Sequence, residues 1–172
     1  MLFYWKNIPF HNWKKQNFQH CIGGFFIDDG SVKVTQVTAS LISTLSMAIS
    51  NNLEAFESLD IVDSTLDIIK HGIEFLDGSR VTGSNIAIQV GDARVDERCK
   101  DTAVEFSAEK RVTLVSSREF PATDVLAGAS AAFLAAGAAF RAVGDEKEAD
   151  KMNKKGGFYF NWNFSTVKIS FS

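Results

Sequence analysis

Asp60-Ile61-Val62-Asp63-Ser64-Thr65-Leu66-Asp67-Ile68-Ile69-Lys70-His71-Gly72-Ile73-Glu74-Phe75-Leu76 is the most regular stretch of the chain. Val62, Leu66, Ile69, Ile73 and Leu76 recur every three or four residues, which puts them on one face of an α-helix. Asp60 and Asp63 sit at the positive end of its dipole, and Asp77-Gly78-Ser79 comes next as a stop. An amphipathic helix is stable only where other elements cover its apolar face. Its neighbours therefore decide the architecture.

Upstream, Val37, Leu41, Ile42, Leu45 and Ile49 also recur at helical spacing, and Asn51-Asn52 is a plausible stop. The other face is Ser and Thr instead of charge, so it is expected to meet protein and not open water. Downstream, Ile86 to Val90 reads as a short extended piece running into the turn Gly91-Asp92, and 92–111 as a long charged loop. Val112 to Val115 reads as another extended piece. Pro121-Ala122-Thr123-Asp124 starts a further helix, with Thr123 or Asp124 as N-cap. Ala127 to Val143 is rich in Ala, with Gly128 and Gly137, so it is expected to be buried on several sides. Gly144 ends it, and Asp145 to Lys155, acids first and lysines last, reads as an antiparallel partner. The expected fold class is all-α.

The two ends differ from this helical body of residues 23–155. Residues 1–22 carry Phe3, Trp5, Phe10, Trp13 and Phe18 without a period and read as an irregular aromatic arm. In 156–172, Phe158, Phe160, Trp162 and Phe164, then Val167, Ile169 and Phe171, alternate with other residues, so a strand-like tail is expected. Asn163-Phe164-Ser165 is a glycosylation sequon, which matters only in an exported chain.

The 172 residues fit one domain, with 45% hydrophobic and 23% charged residues, as in ordinary globular proteins. A net charge of −3 leaves no basic footprint, so nucleic acid is not expected as a partner. No apolar run of bilayer-spanning length is read, and the start Met1 to Lys6 lacks the form of a signal peptide. Cys21 and Cys99 make at most one bridge, and two thiols are the simpler reading. His11, His20 and His71 show no metal-ligand spacing, and no metal or cofactor is expected.

Chemistry is sought at Gly23-Gly24-Phe25-Phe26-Ile27-Asp28-Asp29-Gly30-Ser31-Val32-Lys33-Val34, where adjacent carboxylates sit between glycines and apolar anchors. Asp28 and Asp29 are the candidate catalytic residues. The bland alternative is a solvated acidic turn, since Asp and Gly favour turns with no function attached.

Five stretches, in order, carry a resemblance. Gly23-Gly24-Phe25-Phe26 with the acids and Val32-Lys33-Val34 resembles Gly-Gly-Tyr-Tyr-Asp-Ala-Gly-Asp and a Val-Lys-Phe after it. Ala39 to Ile49 resembles the next helix. Ile69-Lys70-His71-Gly72-Ile73-Glu74-Phe75-Leu76 resembles Ile-Lys-Trp-Gly-Thr-Asp-Tyr-Phe. Gln89-Val90-Gly91-Asp92, with Asp96 and Cys99, resembles a Gln-Val-Gly-Asp loop and its downstream Asp-His. Pro121 to Arg141, with its Ala-rich run, resembles Pro-Gly-Ser-Asp-Val-Ala-Gly-Glu-Thr-Ala-Ala-Ala and the residues after it. The set is that of glycoside hydrolase family 9, the endo-1,4-β-glucanases or cellulases, which the chain resembles as a truncated, degenerate member over about Gly23 to Met152.

The resemblance implies a partial α/α six-hairpin barrel holding only the first few helices. It implies β-1,4-glucan as ligand, inverting hydrolysis as the reaction, and an extracellular setting. Asp92, Asp96 and Arg111 become candidate substrate-binding residues. The resemblance also implies impairment. Aligned from Gly23 to Lys33, the two family Asp positions fall on Ile27 and Gly30, with Asp28 and Asp29 between them. The family's Glu proton donor has no counterpart, its Trp is His71, its Asp-His is Asp96-Glu97, and its helix Glu is Gly128. The alternative is a non-catalytic remnant, either a glucan-binding pseudoenzyme or a truncated product. A partial barrel leaves helix faces uncovered, so self-association is expected.

Overall fold

The computed structural model describes residues 14–16, 22–27, 32–81, 85–91, 112–117 and 120–170, with the backbone alone for 14–16 and 163–170. In chain order these form β1 (Lys14–Gln16), β2 (Lys33–Val34), α1 (Thr35–Asn51), α2 (Leu53–Ser58), α3 (Val62–Gly78), β3 (Ala87–Val90), β4 (Thr113–Val115), α4 (Thr123–Ala142) and α5 (Glu146–Ser170).

α3 is the helix expected from Asp60 to Leu76, shifted by two residues. Leu66, Ile69, Ile73 and Leu76 enter the core, with Val62 half-buried at its edge. The short helix α2, not foreseen, sets its start. Asp60 takes a left-handed φ of 54°. The Ile61 N–H then donates to the Phe56 carbonyl at 3.1 Å and the Asp60 N–H to Glu57 at 3.0 Å, a Schellman closure that hands the chain on to α3.

α1 buries only part of its apolar stripe, Ile42 and Ile49 with Leu45 packed against the core. Thr35, Thr38, Ala39, Ile42, Ser46 and Ile49 are buried, while Val37 and Leu41 are exposed. Of the Ser/Thr positions, Thr35, Thr38 and Ser46 meet protein, as the lack of charge implied, while Ser40 and Thr44 are exposed. Small side chains let the helices approach closely: a Cβ at Gly72 of α3 would meet Ile42 Cδ1 at 2.5 Å. At Gly128 of α4 it would run into the Gln36 amide.

α4 and α5 form an antiparallel hairpin. Gly137 lies against Ala149 and Asn153, and Ser130 Oγ donates to the Gly156 carbonyl at 2.9 Å. The turn closes as α2 does. Gly144 has φ 83°, with Gly144 N–H to Arg141 O at 3.0 Å and Asp145 N–H to Phe140 O at 2.9 Å. Phe133 and Phe140 are fully buried, and each contributes roughly 1.5–3 kcal/mol of transfer free energy. The N-cap of α4 is Ala122, without a side-chain cap, and not Thr123 or Asp124. α4 also corrects the expectation that no run reaches bilayer-spanning length: Thr123–Ala142 has the length and hydropathy to do so. Its apolar character is mostly alanine, and more than half of that window is buried against the other helices.

The ends depart from expectation. The strand-like tail is helix: α5 runs through Ser170. Its buried residues are Ala149, Met152, Gly156, Tyr159 and Trp162, a helical spacing, whereas Phe158 and Phe160 are exposed. The alternation of aromatics was therefore accidental. In the arm, Lys14–Gln16 is a strand and not irregular chain; the rest of 1–21 lies outside the described residues.

The strands make one antiparallel sheet in the order β1-β4-β3-β2. It sits beside the helices through Ile86, Ile88 and Val90, which join the main core. The architecture is thus mostly helical, two helical hairpins of an α/α barrel with a small sheet at one end of them.

Candidate functional site

Gly23 and Gly24 both have φ 73° and lie against α3. A Cβ on Gly23 would strike the His71 carbonyl, and one on Gly24 would stand 2.5 Å from the Phe75 ring. Only glycine fits such positions. The Gly24 N–H donates to the His71 carbonyl at 3.0 Å, and His71 Nε2 lies 3.1 Å from the Gly24 carbonyl. Phe25 meets the His71 ring edge-on at 5.5 Å. His71 thus holds the incoming segment, on both its backbone and its ring.

The outgoing side is held by Lys33. Its ammonium is buried and donates to the Gly23 carbonyl, 4.7 Å from the Phe26 ring centre and 5.7 Å from that of Phe75. A buried cation over two aromatic faces gains both cation–π attraction and a charge-assisted hydrogen bond. Between these anchors the Ile27 N–H donates to the Val32 carbonyl at 2.9 Å, so the two described ends of the segment stand side by side. Sequence analysis missed Lys33. A lysine between two valines in a short strand ordinarily points to solvent, and only the aromatics upstream hinted otherwise.

The other two candidate segments depart from the same place. Lys33 of β2 pairs with Val90 of β3, and Val90 with Thr113 of β4. The Gly91 N–H donates to the Val112 carbonyl at 2.8 Å, and Gln89 Nε2 donates to the Gly91 carbonyl at 2.9 Å. The entry to β2, the exit from β3 and the entry to β4 therefore lie side by side at one end of the sheet. Thr35 Oγ1, at the start of α1, donates to the Ala87 carbonyl at 2.6 Å and so fastens the opposite end of β3. Asp28, Asp29, Asp92, Asp96 and Arg111 themselves lie outside the described residues. What the sheet register brings together is the points from which their segments leave.

Two open depressions lie elsewhere. They lie along α5 and between α3 and α5, lined by charged side chains such as Lys70, Glu74, Glu148 and Lys155. They share no residue with the Gly23–Ile27 segment.

Several solved structures share this fold. The catalytic domain of CelT from Clostridium thermocellum matches with a TM-score of 0.69 and 19% identity, over 82% of this chain and 29% of that one. An endoglucanase from the termite Nasutitermes takasagoensis matches with a TM-score of 0.71 and 19% identity, over 84% of this chain and 33% of that one. Endoglucanase CelQ from Clostridium thermocellum, complexed with cellotriose, matches with a TM-score of 0.70 and 17% identity, over 94% and 26%. The chain spans about a third or less of the length of these structures. No curated protein sequence matches it. The model of one family, glycosyl hydrolase family 9, matches residues 6–170. With the helical hairpins, the glycine-clamped loop and this match over nearly its whole length, the chain belongs to glycosyl hydrolase family 9.

Proposed function

We propose that the ligand of this chain is β-1,4-glucan, that the chemistry its fold serves is inverting hydrolysis of that polymer, and that this chain is impaired in the hydrolysis. The ligand is inferred from the family and from what its fold relatives hold: CelQ is complexed with cellotriose in one structure and cellotetraose in another. The joint departure of the three candidate loops from one sheet end supports a single binding surface there.

Inverting hydrolysis needs one carboxylate to activate water and a carboxylic acid across the sugar to protonate the leaving oxygen, roughly 6.5–9.5 Å apart. The impairment rests on one observation, the hydrogen bond from Ile27 N–H to Val32 O. With Gly23 and Gly24 clamped on α3 and Lys33 paired to Val90, that bond supports a fixed register through the loop. In the ungapped alignment from Gly23 to Lys33, Ile27 falls at the position of the family's first loop Asp, with Asp28 the next residue. A misplacement of about 1 Å costs on the order of a hundredfold in rate.

The test measures reducing ends released from a soluble cellulose derivative by the chain and by its Asp28→Asn/Asp29→Asn variant. Equal release at the level of the blank is expected; clear release that the variant loses would overturn the impairment. Titration with cellotetraose in a calorimeter reads the ligand separately. Saturable heat is expected, and its absence would remove β-1,4-glucan as the ligand.

A further inference from the structure

We propose that Phe26 is a stacking platform for a pyranose ring of a β-1,4-linked sugar chain, which rests on the class of ligand proposed above, and that Lys33 is a positioning residue that holds the platform from inside the fold.

Phe25 and Phe26 follow the same pair of clamped glycines but go separate ways. Phe25 packs on α3, edge-on to His71 at 5.5 Å and close to Gly72, where an added Cβ would stand 3.2 Å from its Cε2. Phe26 is 47% exposed. The other exposed phenylalanines among the described residues, Phe158 and Phe160, lie on α5. Phe26 lies next to the Ile27–Val32 hydrogen bond, at the end of the sheet from which the three candidate segments depart. A single exposed phenylalanine needs no explanation. The buried cation behind this one does.

The Lys33 ammonium stands over the Phe26 ring, 4.7 Å from its centre, and 5.7 Å from the centre of the fully buried Phe75 ring. Taking an ammonium out of water is costly, and an apolar chain of the same length would fill the space without that cost. What the charge adds is attraction for the faces of two rings, one inside the fold and one half outside it. Through its bond to the Gly23 carbonyl, the cation also ties Phe26 to the glycine clamp. A ring fixed in advance loses little freedom when a ligand arrives. The sugars of a β-1,4-linked chain carry C–H groups on their faces and hydroxyls at their edges, and such a face stacks on an aromatic ring. Phenylalanine has no hydroxyl with which to read the sugar's edge. The contact therefore favours a flat β-linked chain and does not separate glucose units from xylose units.

Calorimetric titration of the 172-residue chain with cellotetraose and with xylotetraose tests this, on the wild type, Phe26→Leu, Phe26→Tyr, Lys33→Met and the double variant Phe26→Leu/Lys33→Met. Phe26→Leu keeps an apolar side chain and removes the flat face, and is expected to raise the Kd for both sugars about tenfold. Phe26→Tyr restores the face and is expected within about threefold of the wild type. Lys33→Met is expected to weaken binding about threefold, and the double variant no more than Phe26→Leu alone, because Lys33 acts through Phe26. Losses that add in the double variant would overturn the positioning role. Wild-type affinity in Phe26→Leu would overturn the platform and leave the glucan ligand standing. Xylotetraose binding that depends on Phe26, without heat from cellotetraose, would support the platform and remove glucan as the ligand. No heat from either sugar would overturn both.

Discussion

The Tyr159 hydroxyl donates a 3.0 Å hydrogen bond to the carbonyl of Leu76, joining the last turn of α3 to α5 across 83 positions of sequence. Both residues are fully buried, so the carbonyl has no water to turn to. The ring also stacks on Phe133 at 5.2 Å and tilts against Trp162 at 5.7 Å. Tyr159→Phe keeps the ring and removes the donor. It is expected to cost about 1–2 kcal/mol, the price of leaving a buried carbonyl unpaired. In urea denaturation the midpoint should fall while the slope is unchanged.

Alkali should act on the same hydroxyl. Burial, with the Asp77 carboxylate nearby, raises its pKa well above the ordinary phenol value of 10.0. In the folded chain the phenol therefore keeps its proton at pH values where the unfolded chain has released it. This contribution is fully present below about pH 10 and is lost as pH rises beyond it, by up to about 1.4 kcal/mol per pH unit. Unfolding free energies measured from pH 8 to 11 should fall more steeply for the wild type than for Tyr159→Phe. Parallel curves would contradict the assignment.

Gly24 and Gly144 separate two costs of replacing glycine. Both have positive φ, but a Cβ on Gly24 meets the Phe75 ring whereas one on Gly144 meets nothing within 4 Å. Gly144→Ala is expected to cost about 1–2 kcal/mol, for the backbone conformation alone. Gly24→Ala adds overpacking and should cost about 2–4 kcal/mol in all. Equilibrium denaturation of the two variants checks the order, and equal costs would show that the Gly24 clamp on α3 gives way easily.

Gln36 offers a change in the other direction. Its Oε1 is buried against Gly128 and accepts no hydrogen bond among the described residues. Gln36→Met keeps the length of the side chain and removes the unpaired acceptor. Stability is expected to stay level or rise, by up to about 1 kcal/mol. A loss above that size in thermal melts would mean that the amide has a role at the α1–α4 contact that the geometry does not reveal.

How much was legible depended on what each pattern measured. α3 and α4 were found because their burial tracks their own hydrophobicity. α1 was found as a helix, and of its expected stripe Ile42, Leu45 and Ile49 reach the core while Val37 and Leu41 do not. Thr38 and Ser46 are buried and Val37 is not, so on this helix small size and not apolarity marks part of the buried face. The tail failed because its aromatics, from Phe158 onward, happen to alternate. Read continuously from Ala149 through Met152 and Gly156 to Tyr159, the helical spacing is present. Gly156 serves close approach, since a Cβ there would stand 2.7 Å from Leu134. At the site, the glycine clamp was marked by its residues. The gathering of three loop departures was not, because a register between Lys33, Val90 and Thr113 leaves no mark in local sequence.

The strand order β1-β4-β3-β2 sets a timetable for a chain leaving the ribosome. Lys14 has its partner in Val115, about a hundred residues later, so the first strand to be synthesised is the one that waits longest. β2 and β3 can pair as soon as β3 is out, yet the sheet cannot be finished until β4 emerges to lie between β3 and β1. A nascent chain halted between β3 and β4 would present the open edge of β3. A chaperone that recognises extended backbone would find its binding site there, and would lose it when Thr113–Val115 arrives.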